Sequence, residues 1–215
     1  MPEIFLDPVV EIAIDGRTFL DDIAAKLIID DHNRLNRLFA EEARDPPILI
    51  WNAMSSQLPV PPLPFLLTYW SQLPRTRDIP LASAIDPHSM KSALGHVMLL
   101  DVLGRGEDFR YRVYGTNIAE RSGFDMTGKR TSEIQTSGYV SKFFLAVYRA
   151  VAARRQYVYT QHNPPTEVSA ETWDRLILPL ADENGEVSRI LVGNVAGPWR
   201  STLVLPNTNI LPHRP

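Results

Sequence analysis

Two strand-like runs precede the longest helical run of this chain and three follow it, and that order leaves few folds open. HVMLLDVL (96–103) and FRYRVY (109–114) come first; YVYTQH (157–162), ETWDRLILPLAD (171–182) and VSRILVGNVA (187–196) come after. Only Gly104-Arg105-Gly106-Glu107-Asp108 separates the first two runs, and only Glu183-Asn184-Gly185-Glu186 the last two. Turns that short join antiparallel neighbours, because parallel strands need a much longer crossover. In FRYRVY, Phe109, Tyr111 and Val113 alternate with Arg110, Arg112 and Tyr114, so one face meets core and the other is more polar. Residues 138–154 carry Val140, Phe143, Phe144, Val147, Tyr148 and Val151 on one helical stripe. Arg154-Arg155 stand at its end, where cations suit the helix dipole. Runs of strands with helices inserted argue for an α+β domain built on an antiparallel sheet.

Upstream, Leu20, Ile23, Ala24, Leu27 and Ile28, then Leu35, Leu38 and Phe39, follow the helical period. Thr18 reads as the N-cap, with Asp21 three residues on. Asp30-Asp31-His32-Asn33 weakens the middle of the run, and Pro46-Pro47 stops it. VVEIAI (9–14) reads as a short strand, and ILIWNAM (48–54) fits helix or strand. PVPPLP (59–64) reads as an extended linker. It divides a helical extension, 1–59, from a domain at 60–197, which a proline-containing tail, 198–215, follows. FLLTYWSQL (65–73) suits a short amphipathic helix. Pro87 opens another through Leu94, with Asp86 as its cap.

The 215 residues include no cysteine, which excludes disulfides, thiolate metal sites and cysteine nucleophiles. Net charge is −3 and the basic residues are scattered, so neither nucleic acid nor a membrane is the expected partner. No apolar run approaches the roughly 20 residues of a membrane span. MPEIFLDP lacks the basic start of a signal peptide, and the expected location is cytoplasmic. None of the five histidines is spaced as a metal ligand pair, and Ser122 lacks a nucleophile-elbow context. No catalytic or metal-binding residue is predicted.

LLTYWSQLPRTRDIPLASAIDP (66–87), FRYRVYGTNIAERSGFDMTGK (109–129) and LILPLADENG (176–185) resemble, in this order and spacing, a PAS-like domain family typical of Alphaproteobacteria. The resemblance covers roughly residues 62 to 197. It implies a five-stranded antiparallel sheet of spatial order 2-1-5-4-3 with helices on one face, here with an N-terminal helical extension. It also implies a sensory or regulatory role in bacterial signalling, through a small molecule or a protein partner. Gly123 fits the residue that ends a short helix in left-handed backbone.

The ligand-binding candidates are Tyr111, Val113, Phe143, Val147, Tyr148, Tyr159, Trp173 and Arg175. The aromatics, with Phe144 and Tyr157, are expected between sheet and long helix. There they form either ordinary core or the walls of a pocket oriented by tyrosine hydroxyls. Arg175 lies two residues after Trp173 and shares its face. Inward, it meets an anionic ligand; outward, it is a surface charge. ETWDRLILPL is apolar on both faces near its end and leaves the choice open. His162, at a strand end, reads as solvated rather than as a haem ligand, and the cofactor is unknown.

No output module is recognisable, so a signal leaves through an unidentified signalling protein or a homodimer. The stripe at residues 20–39 is the expected dimer element; alternatively it folds back on the sheet over Arg112 and Tyr114. Two rival readings stand. One is a small isomerase- or dehydratase-type enzyme on a similar α+β cone, with Asp101, Tyr111 and His96 as acid–base groups. Against it, His96 and Asp101 lie five apart on one strand and so on opposite faces. The other is an interaction domain with a filled core.

Overall fold

The structure is a computed structural model that describes residues 16–134, 138–165, 168 and 170–198. The strand expected over 9–14, and the tail from 199 onward, lie outside these residues. Two helices open the chain, α1 (Gly16–Ile28) and α2 (Asn33–Glu41). Helix α1 already includes Thr18, so Thr18 is not its cap. The break between them falls at the predicted polar run, where Asp30 takes positive φ (62°).

The ambiguous segment at 48–54 contributes a strand, β1 (Ile48–Trp51). Helix α3 (Pro62–Gln72) then starts inside the expected linker. Pro62 and Pro64 occupy its first turn, where the missing N–H groups would have had no helical partner. A two-residue pair follows, β2 (Arg75–Thr76) with β3 (Ile79–Pro80). The next segment, Pro87–His96, is a 3₁₀ helix capped by Asp86, whose carboxylate accepts from the backbone N–H of His88 and Ser89.

The remaining elements are β4 (Val97–Leu103), β5 (Asp108–Tyr114), α4 (Thr116–Ser122), α5 (Gly138–Arg154), β6 (Val158–His162), β7 (Trp173–Ala181) and β8 (Val187–Ala196). Gly123 ends α4 in left-handed backbone, φ 82°. The main sheet has six strands in the order β1-β6-β7-β8-β4-β5, with every pairing antiparallel. Read without β1, this is the expected 2-1-5-4-3 order. The first strand of the hairpin pairs with the last of the described strands, Leu100 opposite Ile190. Strand β1 is the addition: it pairs along β6, Ile50 opposite Tyr159.

Both faces of the sheet are covered. On the inner face, Phe143, Val147, Tyr148 and Val151 of α5 pack on Leu100, Phe109, Tyr111, Ile177 and Val192. Leu20, Ile23, Leu27, Leu35, Leu38 and Phe39 of α1 and α2 join that same core. Apart from Ile28, which is 39% exposed, the stripe over 20–39 is therefore buried against α5 of its own chain rather than laid over Arg112. Arg154 fastens it. The guanidinium donates to the Leu27 and Ile28 carbonyls at 3.2 Å, at the C-terminal end of α1. It also lies 4.1 Å from the centre of the Trp51 ring on β1.

On the outer face, Leu63, Leu66 and Trp70 of α3, with Met90 and Ala93, cover Tyr159, Leu176, Leu178 and Leu191. Gly193 lets α3 seat closely, since a Cβ there would stand 2.6 Å from Leu66 Cδ1. The Trp70 indole donates to the Pro179 carbonyl at 2.8 Å and fixes the helix against β7.

Candidate functional site

The inner face of β6, β7 and β8 carries polar side chains where core residues would be expected. Alternation along β7 places Trp173, Arg175 and Ile177 inward. Across the ladder, His162 stands opposite Trp173, Thr160 opposite Arg175, and Asn194 opposite Arg175 on the other side. All are buried: His162 is 2% exposed and Arg175 6%. Arg175 Nε donates to Asn194 Oδ1 at 2.7 Å, and the guanidinium carbon lies 3.5 Å from the centre of the Phe144 ring. Arg175 Nη1, Asn194 Nδ2, Thr160 Oγ1 and both ring nitrogens of His162 have no hydrogen-bond partner.

Of these residues, His162, Trp173 and Arg175 border a cavity of about 40 Å³ beneath the sheet. Met98, Tyr111 and Tyr114 line it from β4 and β5. Ser122 and Phe124 line it after α4, Val140 and Phe144 from α5, and His162, Trp173 and Arg175 from β6 and β7. Burial first, and the Arg175 charge second, keep the His162 imidazole neutral, its pKa well below the usual value. Burial raises the Tyr111 phenol well above its ordinary pKa and the Tyr114 phenol in the same direction, so both are neutral donors or acceptors. Tyr114 is partnered by Ser122, its hydroxyl 3.4 Å from Ser122 Oγ.

A wider depression of about 820 Å³ lies at the opposite end of α5, between Ile28, Arg149, Arg155 and Val187. Two of its cations are paired within the chain, Arg149 with Asp21 and Arg155 with Asp78. The smaller inner cavity is bordered by buried unpaired polar atoms of Arg175 and His162.

The PAS domain family model matches residues 59–195. The chain belongs to the PAS domain family. No curated protein matches it. Among solved structures it is similar to an RNA-binding Light-Oxygen-Voltage receptor, at 13% identity and a TM-score of 0.41. That alignment covers 83% of this chain and 48% of the receptor, so the chain spans about half of the receptor's length.

Within the PAS domain, Tyr111, Trp173 and Arg175 reach the cavity. Phe143, Val147 and Tyr148 are buried in the inner core without lining it; Phe143 packs edge-on to His162 at 5.1 Å. Tyr159 lies on the outer face with Tyr157, not between sheet and long helix. Its hydroxyl donates to the buried carboxylate of Asp174 at 2.5 Å. Burial and that carboxylate both raise the Tyr159 pKa. Val113 is 41% exposed. The cause is a β-bulge: Leu100 pairs with Tyr111 but Leu99 with Val113, leaving Arg112 as the extra residue. The side-chain alternation reverses there, turning Val113 out and Tyr114 in.

His162 is a correction as well, since it is buried among Phe39, Phe143 and Phe144 rather than solvated. A haem does not fit a cavity of about 40 Å³. The strand signal could have found His162, because Val158, Thr160 and His162 share the face opposite Tyr157, Tyr159 and Gln161. The proposed acid–base set does not assemble. Asp101 pairs with Arg112 and Arg189. His96 Nε2 lies 2.9 Å from Asn117 Nδ2, and Tyr111 faces the inner cavity. Among the described residues no group of three or more His, Asp or Glu could hold a metal ion, and no helix is long and apolar enough to cross a membrane.

Proposed function

We propose that this PAS domain is a cytoplasmic sensory module that binds a small molecule in the cavity between β6–β8 and α5. The observation that carries the reading is the cluster of buried polar atoms without partners around Arg175. Each such atom costs about 1–3 kcal/mol when left unsatisfied. Three of them, Arg175 Nη1 and the two ring nitrogens of His162, belong to residues that line the cavity. A fold retains such a cluster where something hydrogen-bonds to it. The surrounding rings of Phe144, Trp173, Tyr111 and Tyr114 supply the apolar walls of a binding site with a few convergent polar groups. The reading is of binding and not of catalysis, since the polar groups among the described residues of the cavity wall are one cation, one neutral imidazole and neutral hydroxyls.

The signal would leave through a partner protein or a second copy. A homodimer built on the 20–39 stripe has lost its motive, because that stripe is covered within the chain. The test is protein-observed NMR with a panel of small water-soluble compounds, both charged and neutral. Binding is expected to shift the Trp173 indole signal and the amides of β6–β8. Shifts confined to the Arg149–Arg155 depression, or none anywhere, would sink the reading.

A further inference from the structure

We infer that the ligand is a small anion, a monocarboxylate with a short apolar body, held by Arg175; this rests on the cavity's being a ligand site. Arg175 is a permanently charged group, buried, and among the described residues no Asp or Glu pairs with it. Its hydrogen-bond partner is the neutral amide oxygen of Asn194, and Nη1 is left without one. Buried charges are normally paired, because an uncompensated one keeps its full desolvation cost. The neighbouring Asp174 does not serve. It projects from the other face of β7, where Tyr159 and Gln161 hydrogen-bond to its carboxylate.

The contact with Phe144 relieves part of the charge through the ring face but gives no hydrogen-bond acceptor. A carboxylate does both, since guanidinium geometry matches its two oxygens. His162 supports the same sign. As a neutral imidazole it can donate one N–H to an anion without adding a second buried cation.

Size sets the remaining limit. A cavity of about 40 Å³ suits a small molecule rather than one of haem size. Its chain would lie against Phe144 and Trp173, with the carboxylate on Arg175.

Propionate and propionamide share shape and differ in charge, and calorimetric titration of the full chain with each decides the matter. Propionate is expected to bind, and propionamide to bind at least about tenfold more weakly, the usual effect of losing a charged hydrogen bond. Arg175→Gln is expected to abolish the preference. Should that variant not fold, Asn194→Ala, which releases the Arg175 fork, is expected to weaken propionate and leave propionamide unchanged. Equal binding of the two compounds, or a preference that survives Arg175→Gln, overturns the assignment while leaving a ligand cavity in place. Absence of binding by both also overturns it, and the NMR panel then shows whether the cavity reading falls with it.

Discussion

His162 couples the site to pH. In the unfolded chain it titrates near its ordinary value, about 6.5; in the fold, burial and the Arg175 charge hold it lower. As pH falls below about 6.5, the unfolded chain takes up a proton that the folded chain refuses. Stability therefore falls with falling pH, by at most about 1.4 kcal/mol per pH unit, until the folded-state pKa is reached. His96, also lowered by burial, adds a contribution of the same sign. His162→Phe is expected to flatten the dependence of the urea midpoint on pH between about 6.5 and 5. An unchanged slope would mean that the ring titrates freely. Phe143 tests packing without charge. It is fully buried between Phe39, Phe144 and His162. Phe143→Ala should cost roughly 3–5 kcal/mol, whereas Arg110→Ala, exposed on β5, should cost under about 1 kcal/mol. Equal shifts in the two urea midpoints would contradict the burial described here. Phe143 was legible because the helical period marks one stripe. The facing of Arg175 was not, because β7 is covered on both sides and its sequence is apolar on both.

Strands β4 to β8 and helix α5 were readable from their periods and from the short turns between them. Strand β1 was not. Four consecutive apolar residues, ILIW, carry no alternation, and its partner β6 lies more than a hundred residues away. The bulge at Arg112 was equally hidden, because FRYRVY alternates through it without interruption. Its consequence reaches the site, since it exchanges Val113 for Tyr114 in the cavity wall. Helices α1 and α2 were visible as helices, but their destination on α5 was not, because a stripe specifies that it is covered and not by what. A prediction belongs to this scale. A chain beginning at Pro59 lacks α1, α2 and β1. It loses the burial of Leu20, Ile23, Leu27, Leu35, Leu38 and Phe39, worth roughly 10–20 kcal/mol at about 1.5–3 kcal/mol each. That is comparable to the whole stability of a usual domain, about 5–15 kcal/mol. The shortened chain should show no cooperative urea transition. A transition with the midpoint of the full chain would mean that the N-terminal helices are dispensable to the core.

At the scale of the whole molecule, the sheet is closed in from two sides for different purposes. The outer layer under α3 is a packed core, with the Tyr159–Asp174 pair satisfied internally. The inner layer keeps the unpaired polar groups and the cavity. Helix α5 lies between that cavity and the N-terminal helices. A ligand contacting Phe144 would therefore press on the element that α1 and α2 cover, through neighbouring Phe143 and its edge contact with Phe39. The most direct test is a crystal structure of the full chain grown with propionate. The account predicts ligand density beneath the sheet, with a carboxylate oxygen about 3 Å from Arg175 Nη1 and its carbon chain against Phe144 and Trp173. A cavity holding only separate water molecules, or closed by the Arg175 side chain itself, would contradict it.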